Sequence, residues 1–379
     1  MKLAKLLGIG FVCALACEPV HGQSNDEALS SKVDGAVRAR MVEMHIPGTS
    51  LAVVRDGKII KATGYGLANV ELNVSVTPAS IFQTGSLGKH LTATAVMLLV
   101  EEGKVGLDDS ITEYFPEAQP AWKKITIRHL LTHTSGIPDA WGNTEQDAYT
   151  NVIVDSRKDY GEEELTRIYL GLKLEFPPGE KWSYCSTGYA LLGFLIHRVT
   201  GMYYGDFLQQ RVFSPLGMNA TTIISEADIV PNRVSGYVLV KGELKNQEWI
   251  APFLNTTAEG GLYSNVLDLA RWDAALYTEK ILRRARLEEM WTPVRLNSGE
   301  QYPYGLGWFL ANVNGHRLLY HTGGNQGFFI SMSRYVDDRL TIIVLNNMDE
   351  YHCDTLKIAG DVASIYIPET KGANPIKDW

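Results

Sequence analysis

Short strand-like apolar segments bounded by turn signals lie toward both ends of this chain, and apolar positions at helical spacing lie between them. After a helical stretch expected over 26–44, the segments 50–55 and 58–62 flank Asp56-Gly57, a dipeptide that favours a tight hairpin. Behind Ser86, apolar Leu91, Ala95, Leu98 and Leu99 recur at helical spacing and stop at Gly103, which predicts a helix with Ser86 near its N-terminus. From Leu107 to about Pro293 the pattern gives loops and helices, with helix candidates at 127–131, 188–199, 204–212 and 267–277. Strand signals return at 308–311, 316–321, 328–335 and 340–345, with Asp337-Asp338 at a hairpin turn, before a closing helix over 354–366. This order predicts an α+β fold: one antiparallel sheet flanked by helices and built from both chain ends. The expected division is a discontinuous α/β part, 23–106 and 294–379, with an inserted, mostly helical part at 107–293.

The first 22 residues follow another pattern. Met1, Lys2 and Lys5 form a basic start, and an apolar run follows from Leu6 to about Ala16. That run is too short to cross a hydrocarbon core of about 30 Å as a helix, so it is expected to be a signal peptide cleaved before Gln23. The mature protein is then exported, periplasmic or secreted, with no integral membrane span. Lipid attachment at Cys17 and a buried N-terminal helix are the alternatives. Of four cysteines, Cys185 and Cys353 remain after the leader, as one bridge or as two packed thiols. With 45% hydrophobic and 21% charged residues the chain is an ordinary globular one, and a net charge of -8 disfavours a nucleic-acid partner.

Chemistry concentrates first at Ser86-Leu87-Gly88-Lys89. Residues at i and i+3 are neighbours on a helix, so the hydroxyl and the amine could share a proton. A lysine serves as base when burial or positive potential lowers its pKa, and a helix start adds N–H groups for an oxyanion. His129 and His133 have the spacing of two metal ligands, but no third ligand cluster accompanies them and no metal is expected. Gly-x-Ser-x-Gly is missing, because Thr84 stands where that motif needs glycine.

The segment Phe82-Gln83-Thr84-Gly85-Ser86-Leu87-Gly88-Lys89 resembles the active-site segment of class C β-lactamases, D,D-peptidases and related esterases, the penicillin-recognising family. Leu130-Leu131-Thr132-His133-Thr134-Ser135-Gly136-Ile137, Pro178-Gly179-Glu180-Lys181-Trp182-Ser183-Tyr184, Gly188-Tyr189-Ala190-Leu191-Leu192-Gly193 and His321-Thr322-Gly323-Gly324 are similar to further segments of that family, in the same order. The resemblance implies a β-lactamase/transpeptidase-like fold and a cofactor-free serine hydrolase. Its nucleophile would be Ser86, its base Lys89, and its second proton relay Tyr184. Tyr263-Ser264-Asn265 is a second match to the family's Tyr-x-Asn, but it follows Glu259-Gly260-Gly261-Leu262, a separate segment. His321, Thr322, Gly323 and Gly324 would flank the cleft, with the N–H groups of Ser86 and Gly324 holding the oxyanion and His321 orienting substrate or tuning Lys89. His133 would anchor a loop.

Two departures matter. Ser186 stands where relatives carry asparagine, and His321 where many carry lysine, which weighs against an efficient β-lactamase. The expected substrate is a small molecule or peptide with an ester or amide bond, cleaved by an esterase or D,D-peptidase-like enzyme. The alternatives are a β-lactamase and a penicillin-binding or sensing protein without turnover.

Overall fold

The computed structural model describes residues 21–140, 154–155, 157–247 and 250–373. The basic start, the apolar run and Cys17 therefore lie outside the described residues, as does much of the loop after Ala140. Among the described residues, no helix is long and apolar enough to cross a membrane.

A seven-stranded antiparallel sheet forms the frame. Its strands are β1 (Gly48–Arg55), β2 (Lys58–Asn69), β3 (Val74–Ser75), β4 (Phe309–Val313), β5 (His316–Asn325), β6 (Phe328–Tyr335) and β7 (Leu340–Asn346), in the spatial order β4-β5-β6-β7-β1-β2-β3. The two ends of the chain meet where β1 pairs with β7, Leu51 opposite Val344 and Val53 opposite Ile342. Asp56 and Gly57 both take positive φ, 51° and 70°, as a tight β1–β2 hairpin demands. The fold is thus the expected α+β sheet, flanked by helices and assembled from both termini.

Period-two alternation sends successive side chains to opposite faces, and here both faces are covered. Leu51, Val53, Ile342 and Val344 pack in one apolar cluster with Val33 and Val37 of α1 (His21–Glu43) and Ile358 and Val362 of α5 (Thr355–Tyr366). Ala52, Val54, Ile343 and Leu345 point the other way, into the larger cluster. That cluster takes in Leu91 of α2 (Lys89–Glu101), Leu191 of α3 (Ser186–Thr200) and Trp272 of α4 (Val266–Ala275). Helix α2 is buried on every side from Lys89 to Leu99, so it is the central helix of the molecule.

Three boundaries differ from the sequence expectation, each for a tertiary reason. Ser86 sits in a 3-10 turn, Gly85–Gly88, that leads into α2 instead of opening it. Strand β2 runs on to Asn69 because β1 partners it as far as Gly66 and β3 pairs with Leu67 and Asn69. Strand β5 continues through the glycines to Asn325, since Thr322, Gly323 and Gly324 keep pairing with Ser331, Ile330 and Phe329 of β6.

Candidate active site

The site is built where the 3-10 turn is pressed against the far half of β5. Strand β4 stops pairing at Phe309–Tyr320, so beyond Tyr320 the outer edge of β5 is turned toward Ser86. Only glycine permits this approach. A methyl at Gly323 would lie 2.0 Å from Thr84 O and 2.6 Å from Leu87 N, and one at Gly85 would lie 2.5 Å from Gly324 O. Gly85 also holds φ at +50°, a conformation that glycine adopts without a Cβ penalty. Gly260 closes in from the third side, where a Cβ would meet Gly85 C at 2.6 Å.

Lys89 Nζ donates to Ser86 Oγ at 2.9 Å and to the Glu259 carbonyl at 2.9 Å. The lysine is fully buried, and burial lowers its pKa to about 8 against the opposing pull of Glu259, Asp139, Cys185 and Glu350. Tyr184 completes the group. Its ring centroid lies 4.9 Å from Lys89 Nζ, its phenol hydrogen-bonds Ser86, and burial holds it well above the ordinary tyrosine range. Ser86 lies in the first turn of a helical segment, where N–H groups lack intrahelical acceptors, and Gly324 faces it across the cleft. A nucleophile, a depressed-pKa amine and a neutral phenol therefore converge beside backbone donors, which is the equipment for acyl transfer.

A chain of neutral side chains holds the wall. Cys185 N–H donates to His133 Nδ1 at 3.1 Å, which leaves the proton on Nε2 to reach the Tyr304 hydroxyl at 3.2 Å. Tyr304 in turn meets His321 Nε2 at 3.2 Å, and His321 Nδ1–H donates to the Thr322 carbonyl at 2.5 Å. Burial pushes His133 well below its usual pKa and His321 down to about 3, so neither carries charge. His133 thereby anchors the loop that presents Tyr184, at a left-handed φ of 59°. His129 caps its own helix through Thr126, so the two histidines serve different networks.

The pocket beside Ser86 has a volume of about 340 Å³ and is lined by Ser86, Tyr184, Ser186, His321, Thr322 and Gly324 among others. The structure brings together every residue singled out for the site; Gly323 packs behind the turn, against the Ser86 and Leu87 amides. Ser186 opens α3, and its N–H donates to Asp139 Oδ2 at 2.9 Å. Tyr263 is elsewhere: it is buried with Ile81 and Ile224, while Asn265 caps α4. Cys185 and Cys353 are separate buried thiols. Sequence reasoning missed Glu259, Glu350, Tyr304 and Phe309. Glu259 alone carried a local signal, its place before Gly260-Gly261.

The fold and this site define a serine β-lactamase or penicillin-binding-protein-like molecule. The Beta-lactamase family profile matches residues 33–361, and the chain belongs to that family. It is 34% identical over 318 residues to Penicillin-binding protein 4* of Bacillus subtilis (strain 168), covering 80% of this chain and 68% of that protein. Against several curated relatives the chain spans 64–68% of their length. Among solved structures it resembles the octameric penicillin-binding protein homologue from Pyrococcus abyssi, with a TM-score of 0.78, 30% identity, and coverage of 92% of this chain and 78% of that one. It also resembles D-amino acid amidase from Ochrobactrum anthropi SV3 complexed with D-phenylalanine, with a TM-score of 0.75, 25% identity, and coverage of 91% and 99%.

Proposed function

We propose that this protein is a serine hydrolase that moves an acyl group from an ester or amide to water through Ser86. The observation that carries the reading is the 2.9 Å approach of the buried Lys89 amine to Ser86 Oγ. In its neutral form Lys89 takes the Ser86 proton as Oγ bonds to the substrate carbonyl carbon. The oxyanion is held by the N–H groups of Ser86 and Gly324. Tyr184, still protonated, relays a proton from Lys89 to the leaving nitrogen or oxygen as the scissile bond breaks. Water then attacks the acyl-enzyme by the reverse relay, restoring Ser86–OH and releasing a carboxylic acid. None of these steps calls for a cofactor.

Relatives named as an amidase and as penicillin-binding proteins span this reaction class. Ser186 and neutral His321 favour an ester or amide over a β-lactam as the better substrate. The basic and apolar pattern of residues 1–22 supports export of the mature chain.

The test is turnover of p-nitrophenyl butyrate and of nitrocefin by the protein and its Ser86→Ala variant. Sustained ester turnover that exceeds nitrocefin turnover and disappears in Ser86→Ala is expected. One burst followed by a stall would instead assign a non-turnover acyl acceptor, and equal rates in both proteins would overturn the reading.

A further inference from the structure

The pocket beside Ser86 is acidic in a way the acyl-transfer steps leave unused. Glu259 and Glu350 both line it, and no lysine or arginine stands among the described residues of that lining. Glu259 Oε1 accepts a hydrogen bond from Thr257 Oγ1. Its other oxygen, Oε2, is buried and has no hydrogen-bond partner among the described residues. Lys89 does not satisfy it, because the ammonium is directed to Ser86 Oγ and to the Glu259 backbone carbonyl.

Glu350 comes from the opposite wall. A methyl group at Gly324 would lie 2.2 Å from Glu350 Oε2, so this carboxylate sits directly over the backbone that faces Ser86. His321 adds no compensating charge, since its ring is neutral and already bonded to Tyr304 and Thr322.

These facts set the sign of the ligand. A substrate that presents a free carboxylate beside Glu259 and Glu350 would face two acidic side chains, and the nearest cation, Lys89, is already bonded to Ser86 Oγ and the Glu259 carbonyl. A protonated amine that reaches the buried, unpartnered Glu259 oxygen would satisfy it and lie near Glu350 at the exposed rim, forming charge-assisted hydrogen bonds. We propose that Glu259 and Glu350 form an ammonium subsite, so that the acyl group transferred to Ser86 comes from α-amino acid esters, amides or short peptides with a free N-terminal amine. This rests on the acyl-transfer reading and names its substrate class. Glu259 and Glu350 act here on the substrate's amine, outside the bonds that form and break.

The experiment compares kcat/KM near neutral pH for the methyl esters of D- and L-phenylalanine with their N-acetyl derivatives, taking the faster enantiomer. The wild type is expected to prefer the free amine by about tenfold or more, because a site built for a polar group rejects the analogue that lacks it. In Glu350→Gln, at the exposed rim, and in Glu259→Gln, that ratio should fall about five- to tenfold, mostly through KM. A wild-type ratio of one or below, or a ratio unchanged in both variants, overturns the subsite. Ser86-dependent hydrolysis of p-nitrophenyl butyrate serves as the control. If it persists while the amine preference is missing, only this inference fails; if no probe shows Ser86-dependent turnover, the acyl-transfer reading fails with it.

Discussion

Lys89 Nζ and Ser86 Oγ are 2.9 Å apart, and the same amine is tied to the Glu259 carbonyl, so the lysine is fixed between the serine and an acidic neighbour. Burial is the largest influence on its pKa and lowers it to about 8, while Glu259 pulls the other way. The free base is the form able to accept the Ser86 proton. We therefore expect kcat/KM for a neutral ester to rise with pH through about 8 and then level off. Removing the opposing charge in Glu259→Gln should move that limb to lower pH. A pH–rate profile of both proteins checks this, and a flat profile between pH 6 and 9 would contradict the role given to Lys89.

The same burial has a cost in stability. In the unfolded chain Lys89 titrates near the ordinary 10.5, and in the folded one near 8, so the unfolded state binds more protons between those values. Stability from this group is lowest below about pH 8 and is regained as pH rises toward 10.5. Lys89→Met should accordingly raise the melting temperature by several degrees at pH 7, lose its advantage near pH 10, and have no hydrolytic activity. Thermal unfolding at both pH values measures it.

Gly323→Ala should be among the most damaging small substitutions. Its methyl would meet Thr84 O at 2.0 Å and Ser86 N at 2.9 Å, both backbone atoms with little freedom to yield. Overpacking of this kind costs about 1–3 kcal/mol, and it would also displace the Ser86 turn. A loss of activity of about a hundredfold or more is expected, with only a modest drop in melting temperature. Ester kinetics alongside thermal unfolding separate the two effects.

Tyr304→Phe would strip the shared hydroxyl from between His133 and His321. Two buried imidazole nitrogens would then lack partners, at about 1–3 kcal/mol each. The urea midpoint should fall without a change in m-value. Because His133 also holds the Cys185 amide, Tyr184 should be less well placed, and kcat should drop more than KM rises.

How much of this was legible in the sequence depends on the range of the contact that fixes it. The sheet was readable because the apolar runs Leu51-Ala52-Val53-Val54 and Ile342-Ile343-Val344-Leu345 are short, local and bounded by turn signals, and both of their faces are buried. The serine, the lysine and the glycines were readable as motifs, although the strand expected over 316–321 stopped short of Gly323-Gly324, which pair with β6. The 3-10 turn at Ser86 was not, because it is imposed by Gly260 and Gly324 pressing on Gly85 from distant parts of the chain. Tyr304 and Glu350 carried no periodicity or spacing that would single them out. They enter the site only through tertiary packing, Tyr304 through two histidines and Glu350 through its position over Gly324.

The most direct measurement is the intact mass of the protein and of Ser86→Ala after exposure to a fluorophosphonate, with the modified peptide then sequenced. A single adduct on Ser86 is expected in the wild type, slower to form in Lys89→Met, and none in Ser86→Ala. An adduct of equal yield in Ser86→Ala, or one mapped to another residue, would contradict the role given to Ser86.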